Sequence, residues 1–301
     1  MDHPEVRSPA GARLAVITGT GGLGYQTAIA LAHAGMRIVL AGRNPVKGAQ
    51  AVDALRLIEP GADVRFEPLD LARLQSVSAF AARMRHAGDT IDVLVNNAGV
   101  MSPPCRATTA DGYELQLGVN HLGHFALTAG LLPLLRGGAR VVSVTSLAQH
   151  YARLNLDTLQ SEAEYSAGRA YCDAKLLQAM FAVELQHRSD QFGWGISSTA
   201  AHPGFATTNL FQGGQDKGSL RSFISTRLIG PLIGHSAAAG ALPIIYAATS
   251  PDAAGGRLYG PKGFKEMKGQ PGECAFARAV HDAPLRARAW TLSEEMVGLR
   301  L

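Results

Sequence analysis

Apolar positions along the chain follow two rhythms. Short continuous runs, RLAVI (13–17), RIVLA (37–41), DVRFEPL (63–69), IDVLV (91–95), ARVVSVT (139–145) and GISSTAA (195–201), have the length and make-up of buried strands. Longer stretches with helical spacing lie between them. One opens in a Gly-rich turn and runs to about His33, and others cover AQAVDALRLI (49–58), LQSVSAFAARMRH (74–86) and a stretch from about Gly112 to Leu135; a further one carries AYCDAKLLQAM (170–180). Strands alternating with helices imply βαβ units and a parallel sheet buried on both faces. Parallel crossovers are right-handed, so the expected product is a doubly wound α/β sheet of Rossmann type. No linker, repeat or low-complexity break interrupts the pattern. Residues 13–301 therefore read as a single domain behind a polar extension, residues 1–12.

Composition narrows the class without changing this picture. With 47% hydrophobic and 17% charged residues, the chain has the balance of a soluble globular protein long enough to bury a large core. The net charge of +4 is scattered singly, as at Arg73, Arg83 and Arg85, which argues against a nucleic-acid groove. The one local cluster, Lys262, Lys265 and Lys268, reads as a solvated turn. The cysteines Cys105, Cys172 and Cys274 are odd in number and match no metal or redox spacing, so a reduced, cytoplasmic setting is expected and no metal site. No apolar leader opens the sequence, and no window approaches the ~20 apolar residues of a membrane span.

The chemistry begins at TGTGGLGYQTA (18–28), where Gly19, Gly21 and Gly24 satisfy GxGxxG between a strand and a helix. Glycines there let the backbone turn tightly and approach a pyrophosphate at the helix N-terminus. A site for NAD normally ends the second strand with Asp or Glu, about 20 residues beyond the glycines, to hold the ribose 2′-OH. Here that place reads LAGRN, with no acid, and Arg43 stands where a guanidinium would meet a 2′-phosphate. NADP is thus favoured over NAD. Tyr171 and Lys175, spaced i and i+4, share a helical face. His121 and His124 have no carboxylate or cysteine to complete a metal site and read as helix packing. GxSxG is absent, so His150 near Ser146 does not suggest a hydrolase.

Taken in order, TGTGGLG, LDL (69–71), NNAG (96–99), VNHLGHF (119–125), VVSVTS (141–146), YCDAK (171–175) and HPGFATTNL (202–210) resemble the short-chain dehydrogenase/reductase family, in its retinol-dehydrogenase-like branch. The resemblance runs from about residue 13 to 297. It implies an oxidoreductase that moves a hydride between a nicotinamide and a carbonyl or alcohol. By the same resemblance, Tyr171 is the general acid/base and Lys175 its electrostatic partner and a ribose ligand. Ser146 would hydrogen-bond the substrate oxygen, and Asn120 would position a water in the proton relay. The cofactor would be held by Gly19, Gly21, Gly22, Leu23 and Gly24, by Arg43, by Asp70 and Leu71, and by Asn96, Asn97, Ala98 and Gly99. Pro203, Gly204 and Thr208 would fix the nicotinamide. The glycine turn is one residue shorter than the family's usual TGxxxGxG, which would reshape the pyrophosphate cradle. Ser143, Thr145 and Ser146 all compete for the serine role, and register against the family's paired serines picks Ser146.

Physical chemistry fits those roles. A tyrosine must fall from ~10 by about 3 units to act near neutrality, or about 4 kcal/mol. A lysine charge about 5 Å away contributes roughly 3 kcal/mol at an effective dielectric of ~20. The oxidised nicotinamide's positive charge would add the rest in the alcohol-oxidising direction. The segment 205–234 stands where the family keeps its substrate lid, and its Phe205, Leu210, Phe211, Phe223, Ile224, Leu228 and Ile229 suggest a lipophilic alcohol or carbonyl substrate. The helices around 112–136 and 168–188 are those many members use to form a homodimer or homotetramer. Other readings are a dinucleotide-binding sensor or scaffold without catalysis, an NAD-dependent alcohol dehydrogenase, a reductase of carbon–carbon double bonds, and a Rossmann methyltransferase. A mere binder needs no Ser146, and a methyltransferase has no use for YxxxK.

Overall fold

The computed structural model describes residues 13–205 and 236–301. The N-terminal extension, Thr208 and nearly all of the expected lid lie outside the described residues. An eight-stranded sheet in the order β3-β2-β1-β4-β5-β6-β7-β8 forms the centre of the α/β fold. Its strands are β1 (Leu14–Thr18), β2 (Arg37–Gly42), β3 (Val64–Pro68), β4 (Ile91–Asn96), β5 (Leu135–Val144), β6 (Ser197–Ala201), β7 (Leu258–Pro261) and β8 (Pro271–Cys274). The first seven pair in parallel, and β8 closes the edge antiparallel to β7. The all-parallel sheet expected from the pattern thus ends in a hairpin. Its short strands, LYGP and PGEC, carry too little apolar alternation to stand out.

Alternation along the strands divides two cores. Leu14, Val16, Leu94 and Val141 face one side, where Val77, Phe80, Phe125, Leu127, Phe181, Leu185 and Trp290 pack. Ala15, Ile17, Val93, Val95, Val142 and Val144 face the other, against Ala28, Leu31, Val52, Leu55, Ile244 and Ala247. Strands buried on both faces need apolar residues at nearly every position, which accounts for the unbroken runs read from the sequence. The helices are α1 (Gly22–His33), α2 (Pro45–Ile58) and α3 (Leu74–Ala87). The stretch called α4 consists of Leu115–Leu117, a π-turn at Gly118–Leu122, and Gly123–Leu131. After it come α5 (Ala167–Phe192), α6 (Ala237–Thr249) and α7 (Ala283–Val297). Helix α2 starts four residues before the apolar pattern does, because Asn44 accepts a hydrogen bond from the Lys47 N–H and Pro45 occupies the first turn.

Strand order reverses between β1 and β4, so the loops leaving their C-terminal ends diverge and open a crevice. The glycine turn leaves β1 on one side of that crevice, and Asn97–Ala98–Gly99 leaves β4 on the other.

Candidate active site

A cavity of about 520 Å³ occupies the crevice. Its floor and walls include Gly19, Gly21, Gly22, Leu23, Asn97, Ala98 and Gly99, with Ser146, Tyr171, Lys175, Pro203 and Gly204 at the opposite side. Gly19 has φ +97° and Gly22 φ +54°, so the turn uses the left-handed region that favours glycine. A Cβ on Gly24 would lie 2.5 Å from Asn97 Nδ2, so this glycine serves close packing beneath the cradle. Gly21 caps α1 with open space around its Cα, no side chain caps the helix, and no acid occupies its first turn. Orphan N–H groups and the positive end of the helix dipole therefore face the cavity without competition, and a pyrophosphate fits there. The shortened turn keeps this cradle.

Thr18, at the end of β1, ties the two lips together. Its Oγ1 accepts from the backbone N–H groups of Asn97 (2.8 Å) and Ala98 (2.9 Å), while Asn97 Nδ2 donates to the Thr18 carbonyl (2.7 Å). Buried His124 joins this network, with Nε2 3.0 Å from Thr18 Oγ1 and Nδ1 3.1 Å from the Asn120 carbonyl. Burial holds the His124 ring down at about 4, so it is neutral; bonding the carbonyl then requires the proton on Nδ1. His124 is more than helix packing.

Asn120 sits in the π-turn, fully buried; its Nδ2 donates to the Val100 carbonyl (2.9 Å) and its Oδ1 accepts from the Val100 N–H (2.8 Å). It braces the loop after β4 and does not line the cavity. Among the three hydroxyls of the β5 end, Ser143 is buried in the sheet and Thr145 Oγ1 donates to the Lys175 carbonyl (2.7 Å). Ser146 faces the cavity and shares a hydrogen bond with the Tyr171 hydroxyl. Its Oγ also accepts from the Ala148 N–H (3.2 Å).

Tyr171 and Lys175 project from α5 on the same face, with Lys175 Nζ 5.8 Å from the tyrosine ring centroid. Their ionisation departs from the expected effect. Burial pushes the Tyr171 phenol up to about 12, against a smaller lowering by the Ser146 hydrogen bond, and pushes the Lys175 ammonium down to about 7. In the free protein desolvation outweighs the lysine's field, and the ammonium is engaged elsewhere: Nζ donates to the Val144 carbonyl (2.9 Å) and to Gln178 Oε1 (2.7 Å).

Pro203 and Gly204 follow β6. Gly204 has φ +68°, and a Cβ there would lie 2.4 Å from the Met267 carbonyl oxygen. The Gly204 N–H donates to His202 Nδ1 (3.2 Å), so the buried neutral ring carries its proton on Nε2 and donates to Glu266 (3.1 Å). That pair fastens the β7–β8 hairpin to the wall of the cavity. Arg43, exposed at the end of β2, does not line the cavity; it lies beside Gly42, whose Cβ would touch Thr20 of the glycine turn. Asp70 Oδ1 accepts from the Ala72 N–H, and the Leu71 side chain is in the core, so neither side chain reaches the cavity. No motif spacing singles out Thr18 or His202 for a role of its own. Gln178 carried a readable signal, since it stands three residues beyond Lys175 on the same helical face.

Residues 13–217 match the model of the family described as short chain dehydrogenase. The chain belongs to that family. Within it, the retinol-dehydrogenase-like branch is evident from polyprenol dehydrogenase of Mus musculus, 38% identical over 98% of this chain and 87% of that protein. Retinol dehydrogenase 13 of Homo sapiens is 36% identical over 94% of this chain and 84% of its own length. A solved structure of an uncharacterized protein from Mycobacterium Paratuberculosis superposes with a TM-score of 0.81, at 35% identity and 98% and 97% coverage of the two chains. A short chain oxidoreductase from Pseudomonas aeruginosa PAO1, solved with NADPH bound, shares the fold at 20% identity, with a TM-score of 0.63 over 82% of this chain and 93% of its own. As a member of this family the protein is an oxidoreductase that acts on CH–OH or C=O groups with NAD(P). Among the described residues, no helix is long and apolar enough to cross a membrane.

Proposed function

We propose that the protein is an NADP(H)-dependent dehydrogenase/reductase of lipophilic alcohols and carbonyl compounds, with Tyr171 as its general acid/base. The observation that supports this most is the convergence of Ser146, Tyr171 and Lys175 on the cavity that also contains the glycine turn. Apolar groups surround the reactive side chains: Met101, Leu147, Ala148, Tyr151 and Phe205 line the same cavity. Two relatives are named for polyprenol and retinol, both lipophilic alcohols.

The glycine turn and the α1 N-terminus would hold the pyrophosphate, the loop 97–99 the adenosine side, and Lys175, Pro203 and Gly204 the nicotinamide riboside. Arg43 stands at the β2 end, where a 2′-phosphate would need a cation. Thr208 is retained as a nicotinamide contact, and the segment 205–234 as the lid. When bound, the cofactor supplies or accepts the hydride. Ser146 Oγ accepts from the Ala148 N–H and shares a hydrogen bond with the Tyr171 hydroxyl; turned to a bound substrate, its O–H would donate to the oxygen on which charge develops. Tyr171 takes the alcohol proton in oxidation and returns it in reduction. Its phenolate needs Lys175 charged, and the oxidised nicotinamide's positive charge lowers the phenol further. Asn120 contributes through its carbonyl, beside His124, as the site for a relay water. Three free cysteines fit a reduced cytoplasmic setting. A homodimer or homotetramer is part of the proposal, and residues 116–128 of α4, buried within the chain, would leave the contact to α5 and its surroundings.

Fluorescence titration with NADPH and NADH tests the cofactor, and turnover of a long-chain isoprenoid alcohol against glycerol-sized alcohols tests the substrate. NADPH should bind at least ~10-fold more tightly than NADH, about 1.4 kcal/mol, and Arg43→Ala should erase that gap. Equal binding of the two would overturn the NADP assignment. Turnover confined to small polar alcohols would overturn the lipophilic one.

A further inference from the structure

Gln178 is buried at 2% exposure and Lys175 at 4%, one turn apart on α5. The glutamine's Oε1 lies 2.7 Å from Lys175 Nζ, and its Nε2 has no hydrogen-bond partner among the described residues. The amide oxygen must face the ammonium, because the reverse orientation would set donor against donor. Burying an amide with one end unpaired is costly, so this glutamine would be a poor choice for packing alone. An ammonium has three N–H donors. Two are committed to fixed buried acceptors, the Val144 carbonyl and Gln178 Oε1, which leaves one for the cavity that Lys175 lines.

We propose that Gln178 is a positioning residue for the proposed general acid/base pair: its amide oxygen keeps the buried Lys175 ammonium charged and aims the remaining N–H at the cavity. Burial moves the Lys175 pKa downward, and both acceptors of its Nζ, the Val144 carbonyl and Gln178 Oε1, are neutral. Neutral acceptors are therefore what oppose deprotonation. A neutral amide does this without cancelling the positive field that Tyr171 requires, whereas a carboxylate would hold the charge and cancel the field. Among the described residues, the other titratable groups facing Lys175 are Tyr171 on the same helix and His124 from α4. His124, held at about 4, stays neutral above pH 6 and contributes no change there.

This inference rests on the reading of Tyr171 and Lys175 as the acid/base pair. Its test therefore has one arm that needs no catalysis. Lysine side chains labelled with 13C and 15N are titrated by NMR in the full chain, with Lys175→Arg to assign the signal. Gln178→Met should lower the Lys175 midpoint and Gln178→Glu should raise it, each by about one unit. In the second arm, the high-pH limb of kcat/KM for alcohol oxidation should move the same way, and Gln178→Met should lose about tenfold at one unit above the wild-type limb. Gln178→Glu, close in volume, keeps the comparison alive if the methionine variant does not fold. Midpoints of the folded variants unchanged from wild type would overturn the proposal and leave Gln178 a packing residue. A wild-type chain that turns over no substrate would sink the acid/base reading, while the NMR midpoints would still decide the role of Gln178.

Discussion

In the proposed reaction Tyr171 exchanges a proton near neutrality, yet burial, opposed in part by the Ser146 hydrogen bond, pushes its phenol up to about 12. The free protein therefore holds this phenol neutral, and in the proposed reaction its ionisation would wait for positive charge from the cofactor and from Lys175. Tyr171→Phe should lower kcat by about 10²- to 10⁴-fold, the span of general acid/base catalysis, with NADPH affinity nearly unchanged. Ser146→Ala should cost about 10²- to 10³-fold through loss of a donor to the developing oxyanion. Steady-state kinetics beside fluorescence titration would check both; a Tyr171→Phe enzyme at wild-type rate would remove the tyrosine from its role. At this scale the sequence was legible where a motif ties residue type to a fixed spacing, as in the glycine turn and YxxxK. It was not legible where a partner arrives from elsewhere in the chain. Nothing in the spacing announces that His124 would reach Thr18, 106 positions away, or that His202 would pair with Glu266, 64 positions away. The direction of the Tyr171 shift escaped for a related reason, since desolvation depends on the whole surrounding fold.

Among the elements, α4 shows how a helix pattern can hide an irregularity. Its apolar periodicity reads as one long helix, yet Gly118–Leu122 forms a π-turn that carries Asn120. Glycines flanking the turn allow it to pack closely. Gly123 has a helical φ of −61°, but a Cβ there would lie 2.7 Å from the Leu71 carbonyl oxygen and 3.0 Å from the Leu71 Cβ. Helix propensity alone says that Gly123→Ala should stabilise by up to ~1 kcal/mol. Overpacking against backbone says that it should destabilise by about 1–3 kcal/mol. The clash should win, because the β3–α3 connection cannot withdraw as a flexible side chain would. Urea unfolding of Gly123→Ala checks the sign; a stabilised variant would mean that the two elements slide apart at little cost. Gly204→Ala should fail more locally. It pays for a left-handed φ and a 2.4 Å approach to the Met267 carbonyl, so the wall after β6 should shift and NADPH binding weaken, by fluorescence titration, before global stability is lost.

Across the whole molecule, the alternation of βαβ units made the sheet and its crevice readable, because burial on both faces leaves continuous apolar runs. The final hairpin and its anchoring to the site were not readable, since four-residue strands carry little pattern. That anchoring also bears on how stability responds to acid. His121, His124 and His202 are buried and neutral, with burial holding them down at about 3, about 4 and about 4. In the unfolded chain each titrates near 6.5. Between pH 6.5 and 4 the unfolded state therefore binds more protons than the native one, so stability falls as the pH falls through that window. Lys175 works in the same direction at higher pH. Its native value of about 7 lies below the 10.5 of a free lysine, so it favours unfolding at pH 7 and stops doing so as the pH approaches 10.5. Urea unfolding of the free protein should show stability rising from pH 4 to 6.5, and more steeply in the wild type than in His124→Asn. Asparagine can still donate to the Asn120 carbonyl but takes up no proton. Above pH 7 a Lys175→Met variant should lack the lysine's share of the rise. A profile equally steep in wild type and His124→Asn would show that His124 titrates alike in the folded and unfolded chains, and that burial does not hold the ring neutral.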